Sequence, residues 1–201
     1  LEELGIKIHL IRLTIFESFF NALLAIFQSI PFQVAWYKSK KMKKRIDELL
    51  NTNDFDVIYH HLIRTAQYLS VERKNSRLDV IDFTDAVSLY LSRMVDQEKN
   101  IIKKLFIKSE LKRIIKYEQI AEKFDALFIC SEIDKKFLID KKTAPEIQIL
   151  NNGIDTEYFF ANENNFDEKR IIFTGNMPYY ANSDAAIYFA NAIFPLLLKK
   201  D

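Results

Sequence analysis

Residues 78–83 read LDVIDF, and two runs of the same character stand at 55–60 (FDVIYH) and 125–130 (DALFIC). Each is nearly continuously apolar instead of alternating, the pattern of a strand buried on both faces of a parallel sheet. Further runs of this kind lie at 6–11, 147–150 and 171–174. Helices are expected between them at 15–30, 35–50, 98–123 and 132–141. Another is expected at 183–193, with Asn182 or Ser183 as N-cap. Pro31 should stop the first long helix, and Pro195 should open a fresh turn. The β-α-β-α rhythm predicts an α/β fold with a doubly wound parallel sheet.

The bulk numbers narrow the function. The 201 residues suffice for one good core, or about one and a half domains. Only 3 are glycine. That is too few for a G-x-G-x-x-G dinucleotide loop plus several tight turns. With 49% apolar and 13% aromatic residues the chain is too hydrophobic for disorder. The 29 Lys and Arg against 28 Asp and Glu leave a net charge of +1, which argues against nucleic acid as a partner. A single cysteine, Cys130, excludes an intramolecular disulfide and a multi-cysteine zinc site. It fits a reducing cytoplasm, the expected location. No secretory signal is visible in the opening residues.

The stretch 15–30 is the most apolar, with Glu17, Asn21 and Gln28 on one narrow stripe. It reads as a largely buried helix, or alternatively as an interfacial one. At 151–168 the sequence NNGIDTEYFFANENNFDE turns polar and acidic, with Asn152-Gly153 as a turn signal. It divides an expected N-terminal domain, 1–150, from the start of a second, 169–201, with 151–168 as linker. A surface loop within one domain is the plainer alternative. One strand and one helix cannot bury a core, so the second domain reads as cut off.

Several segments, in order, resemble sugar transferases of the GT-B fold. These belong to the large retaining glycosyltransferase family, and the likeness is strongest to its exosortase-associated subgroup. The likeness is carried by PFQV at 31–34 with Trp36 and Tyr37, FDVI at 55–58 with His60, His61, Ile63 and Arg64, and VIDFTD at 80–85. It continues through Tyr117-Glu118, Phe124-Asp125, FICSE at 128–132, NGIDTEYF at 152–159 and FTGNM at 173–177 with Asn182, Asp184, Ala185 and FPLL at 194–197. The resemblance implies a Rossmann-like N-terminal domain on the acceptor side and a second Rossmann-like domain for a nucleotide-sugar donor. The expected activity is sugar transfer to a glycan or lipid-linked acceptor in cell-surface polysaccharide synthesis. No permanently bound cofactor and no metal are expected; the nucleotide sugar is a substrate. The family's first strand and Gly-rich loop would precede Leu1, and most of the donor domain would follow Asp201. The 201 residues alone are therefore expected not to transfer sugar. A non-catalytic remnant of a split gene is the alternative that shares this ancestry.

In such a fold the chemistry belongs at the carboxyl ends of the strands. His60 and His61 end the second run, and an imidazole there could position or deprotonate a hydroxyl. Adjacent strand residues point oppositely, so at most one faces the cleft. Both could instead be structural. Asp82 and Asp85 end the run at 78–83, where many relatives carry a His-Asp that this chain lacks. They are candidates for binding acceptor hydroxyls, or Asp85 is the N-cap of a helix starting at Ala86. Ser131 and Glu132 are cleft candidates, with Ser131 as a helix cap the alternative. Cys130 reads as a small buried residue. Gly175 and Asn176 are donor-phosphate candidates, or an ordinary strand-end turn.

Two basic runs remain. Lys38, Lys40, Lys41, Lys43, Lys44 and Arg45 lie within eight residues, beside Trp36, Tyr37 and Met42. Seven more basic residues span 99–116 against Glu110 alone. They suit an anionic membrane surface, and so a peripheral module at the cytoplasmic face, and would also attract a nucleic-acid backbone, or are simply solvated helix faces.

Overall fold

The computed structural model describes residues 4–70, 77–140, 146–160 and 170–199. It contains two compact units, Leu1–Gly153 and Ile154–Asp201. The division falls inside the polar stretch 151–168, of which 161–168 lie outside the described residues.

The first unit is an α/β layer around four parallel strands in the order β1-β2-β3-β4. These are β1 (Val57–His61), β2 (Leu78–Thr84), β3 (Ala126–Ile129) and β4 (Ile147–Ile149). The run at 6–11 forms no strand. Its Ile6, Ile8 and Leu10 are exposed, and no ladder partner meets them among the described residues. The four apolar runs that are strands sit side by side and share hydrogen bonds. A strand needs that neighbour as well as an apolar sequence.

The core lies on one face of the sheet. Ile81 and Phe83 of β2, Leu127 and Ile129 of β3 and Ile147 of β4 pack there with Ile63, Ala66, Phe124 and Leu138. By the pleat, His60 shares that face with its register partner Ile81. Tyr59, His61 and Asp82 occupy the other face.

The helices are α1 (Ile15–Ala25), α2 (Phe32–Trp36), α3 (Lys40–Thr52), α4 (Val87–Gln97), α5 (Ile101–Glu118) and α6 (Glu132–Asp140). A capping box starts α1: Thr14 Oγ1 accepts the Glu17 N–H at 3.3 Å, and Glu17 accepts the Thr14 N–H at 2.9 Å. The expectation of a largely buried first helix is overturned. Only Ser18 and Ala25 of α1 are buried, while Phe16 is 87% exposed and Phe19 and Phe20 are also open. The small residues seat α1 on its neighbours, so its large apolar residues point outward. The helix also ends at Ala25, before Pro31. The expected helix at 35–50 is two pieces, because the Tyr68 hydroxyl accepts the Ser39 N–H at 2.8 Å and donates to the Tyr37 carbonyl at 2.7 Å. Ser39 then caps α3 by accepting the Met42 N–H.

Helix α5 ties these pieces together. Its Arg113 guanidinium donates to the carbonyls of Ala25, Gln28 and Ile30, at 2.5, 2.9 and 3.1 Å, and lies over the Phe32 ring. Glu110 accepts the N–H groups of Phe32 and Gln33, at 3.1 and 3.3 Å. Glu118 accepts the Ser88 N–H of α4 at 2.9 Å. These contacts satisfy the orphan groups that every helix end leaves.

In the second unit the described elements are α7 (Tyr180–Tyr188), a π-helical turn at Phe189–Ile193 and α8 (Phe194–Leu197), with Pro195 in the opening turn of α8. Residues 171–174, expected as a strand, form none among the described residues; Ile171, Ile172 and Phe173 are exposed. The N-cap of α7 is Tyr179, so Asn182 and Ser183 lie inside the helix. No described residue of this unit is buried.

Burial pushes the Glu118 carboxyl above its ordinary 4.5, partly offset by hydrogen bonding to Ser88. A carboxyl whose folded-state value is raised contributes stability that is full below the unfolded value and lost as pH rises through the folded one. Glu118→Gln keeps an acceptor oxygen and removes the charge. The variant should therefore show a flatter fall in melting temperature above pH 4.5 than the parent chain. Glu118→Ala, which orphans the Ser88 N–H, should cost about 1–3 kcal/mol in a denaturant titration.

Candidate functional site

Strands β1 and β2 end side by side, with His61 in register with Asp82. The Asp82 carboxylate is held from three directions. Its Oδ2 accepts the Tyr59 hydroxyl at 2.5 Å and lies 3.4 Å from His61 Nδ1. Its Oδ1 accepts the Thr84 N–H at 2.7 Å. Tyr59 and His61 are two apart on one strand, so they share a face, and their rings are nearly parallel at 6.5 Å. Partial burial, then the Asp82 hydrogen bond and charge, push the Tyr59 hydroxyl up to about 12. It stays protonated and donates. The His61 side chain is 61% exposed, with Nδ1 the ring nitrogen set beside Asp82.

The backbone around this group is strained. Leu62, directly after His61, has φ 69° and ψ 146°, and Thr84 has φ 63°. Side chains with a Cβ rarely adopt such angles. Thr84 is the centre of a γ-turn, closed by the Asp85 N–H on the Phe83 carbonyl at 2.7 Å. The Leu62 N–H donates to the Asp82 carbonyl at 2.7 Å, and the Cys130 N–H to the Thr84 carbonyl at 3.0 Å. Both strained residues are thus locked to the next strand.

His60 points the other way. It is buried, its Nδ1 lies 3.3 Å from the Thr65 carbonyl, and its ring meets Phe124 edge-on at 5.1 Å. Burial pushes its pKa down, so it is a neutral packing residue and lies outside the Asp82 group. Asp85 does not cap α4, whose N-cap residue is Ala86 with no side-chain cap of its own. The Ala86 N–H goes to Asp134 at 3.0 Å, while the Asp85 carboxylate takes the Cys130 thiol at 3.5 Å. Cys130 is half-buried, not fully buried, and burial followed by Asp85 pushes its thiol up. Its thiolate is therefore scarce. Ser131 caps α6: its Oγ accepts the Asp134 N–H at 3.2 Å and donates to the Asp134 carboxylate. Glu132 is exposed in the first turn of α6.

Gly175 and Asn176 belong to the second unit. A Cβ on Gly175 would meet the Asn182 side chain at 3.0 Å, and Asn182 donates to the Asn176 carbonyl at 3.1 Å. The amide of α7 thus packs on the glycine and pins the turn. Among the described residues no group of three or more His, Cys, Asp and Glu side chains could hold a metal.

Tyr59 and Thr84 are members of the site that sequence reasoning misses. The Tyr-x-His spacing on a strand was the available signal for Tyr59, since i and i+2 share a face. No family model, curated protein or solved structure matches the chain.

Leu62→Gly and Thr84→Gly remove a Cβ from a strained position. Each should raise stability by about 1 kcal/mol in urea titrations, since such backbone costs of order 1–3 kcal/mol. Replacement by Ala at Thr84 should leave the strain in place and show no such gain.

Proposed function

We propose that the first unit is the acceptor-side domain of a glycosyltransferase of the GT-B class, acting with a nucleotide-sugar donor on a glycan or lipid-linked acceptor. The observation that carries this reading is the Tyr59–Asp82–His61 group at the carboxyl ends of two parallel strands. Ligands of open α/β sheets gather at such strand ends. In this reading Asp82 orients His61 from the Nδ1 side, and Nε2 takes the proton of an acceptor hydroxyl as its oxygen bonds to the anomeric carbon and the bond from that carbon to the donor's nucleoside diphosphate breaks, the diphosphate leaving with the electron pair. Tyr59 fixes the carboxylate so that the imidazole keeps one orientation. The collinear motifs from 31 to 197 support this family reading. In this reading Gly175, Asn176, Ser131 and Glu132 are the donor or cleft candidates, and Asp85 goes with the acceptor-side group.

Saturation-transfer NMR on the full chain with a panel of oligosaccharides and sugar-linked lipids checks this. At least one acceptor should bind saturably, and His61→Gln or Asp82→Asn should weaken it about tenfold, or 1.4 kcal/mol. His60→Gln should leave binding unchanged. A panel without saturable binding would sink the proposal.

A second reading rests on α1. Its exposed Phe16, Phe19 and Phe20, with Phe27 just after it, lie beside the lysine-rich segment. Asn21 donates to the Lys38 carbonyl at 2.8 Å, and Lys41 pairs with Glu17 at 3.9 Å. No helix among the described residues is long and apolar enough to cross a membrane. Apolar side chains next to cations favour adsorption to an anionic bilayer, at about 1 kcal/mol per Lys or Arg near the surface. Vesicles containing phosphatidylserine should pellet the chain at low salt, and Phe16→Ser with Phe27→Ser should abolish pelleting. Equal pelleting with neutral vesicles would remove the electrostatic part.

A further inference from the structure

Apart from the strand-end group, the first unit holds a cavity of about 700 Å³ between α2, α3, the 3₁₀ turn at Ile63–Tyr68 and the end of α5. That is the size of a small-molecule site. Its wall is mainly apolar, with Ile30, Val34, Tyr68 and Ile120. Lys38, Lys40, Lys43 and Lys44 also line it. Lys43 is occupied by Asp47 at 2.5 Å, and Lys44 lies 4.0 Å from Glu48. Lys38 and Lys40 have no carboxylate within ion-pair distance among the described residues. Ser39 and Lys40 also bring the opening turn of α3, with its positive dipole end, to the cavity.

A second observation is independent of the lysines. Tyr117 lines the same cavity, and its hydroxyl is buried with no hydrogen-bond partner among the described residues. The neighbouring Tyr68 hydroxyl is already committed to Ser39 and Tyr37. Burial, then the nearby Tyr68, push the Tyr117 hydroxyl up, so it remains a donor. A buried donor without an acceptor is costly, and a ligand oxygen would relieve it.

We propose that this cavity binds an amphiphilic anion, with an apolar chain or ring against Val34 and Ile120 and a phosphate or carboxylate held by Lys38, Lys40 and the Tyr117 hydroxyl. A purely apolar ligand would leave the phenol unsatisfied. A bare anion would leave the apolar wall uncovered. The site does not depend on the glycosyltransferase reading, because none of its residues belongs to the Asp82 group.

The test uses the full chain with decyl phosphate, decanoate, decanol and inorganic phosphate, each below its micellar concentration. Trp36 is the only tryptophan and stands two residues from Val34 in α2, so its emission is the readout, with calorimetry alongside. Decyl phosphate, decanoate or both should saturate at one per chain, and comparing them identifies the headgroup. Lys38→Ala with Lys40→Ala should weaken that binding about tenfold, a loss of about 1.4 kcal/mol. Tyr117→Phe should weaken it about three- to tenfold, with an unchanged melting temperature. Asn51→Phe, at an exposed wall position, should block entry without disturbing the core. Equal affinity for decanol, or for inorganic phosphate, would overturn the proposal. So would a non-saturating response, or one indifferent to all three variants, which would mark adsorption elsewhere.

Discussion

A helix end inside a protein leaves N–H and C=O groups that must find partners away from water. In the first unit that requirement converges on α5. Glu110, Ile114 and Glu118 are its buried residues, spaced four apart along one face. Arg113 lies beside them. The two carboxylates meet the starts of α2 and α4, and the guanidinium meets the chain after α1. Taking a carboxylate out of water costs several kcal/mol, offset here only in part by backbone N–H donors, so burial still pushes both carboxyls above their ordinary range. Remove α5 and three helices have unsatisfied ends. The Phe32 ring, stacked on Phe106 and under Arg113, adds apolar contact at the same junction.

The strand-end group depends on this frame indirectly. Strained backbone persists only where its surroundings over-determine it. Leu62 and Thr84 are fixed by hydrogen bonds to β2 and to the residue after β3, while the core beneath holds those strands in register. The same pleat that buries His60 against Phe124 turns His61 outward. Two identical neighbours thus have opposite roles, one in packing and one presented to solvent.

How much of this could be read beforehand follows from where each cause lies. The runs at β1 to β4 were legible because β-branched and aromatic apolar sequence suits a pleated ladder, although the core covers only one face of it. The runs at 6–11 and 171–174 carry the same pattern without a neighbour to pair with, and pairing is not encoded locally. Similarly, α4 has no side-chain cap of its own, because Asp134 and Glu118 reach its N–H groups from 30 to 48 residues away. The lysine-rich stretch around Glu110 reads as a solvated or membrane-facing surface. Its few acids are the residues that go inside, which charge counting hides. At the candidate site, strand-end position picked out Asp82 and His61. Choosing His61 over His60 needed the face of the sheet, and Tyr59 needed the distance to Asp82.

The spacing of the Arg113 and Glu110 contacts bears on how the chain is made. They join residues 77 to 88 positions apart. A ribosome adding about 5–20 residues per second presents α1 and α2 roughly 4–18 s before their partners on α5 exist. During that interval the phenylalanines of α1 belong to a nascent chain whose helix junction has nothing to close it. The N-terminal third of the unit is synthesised first and completed late.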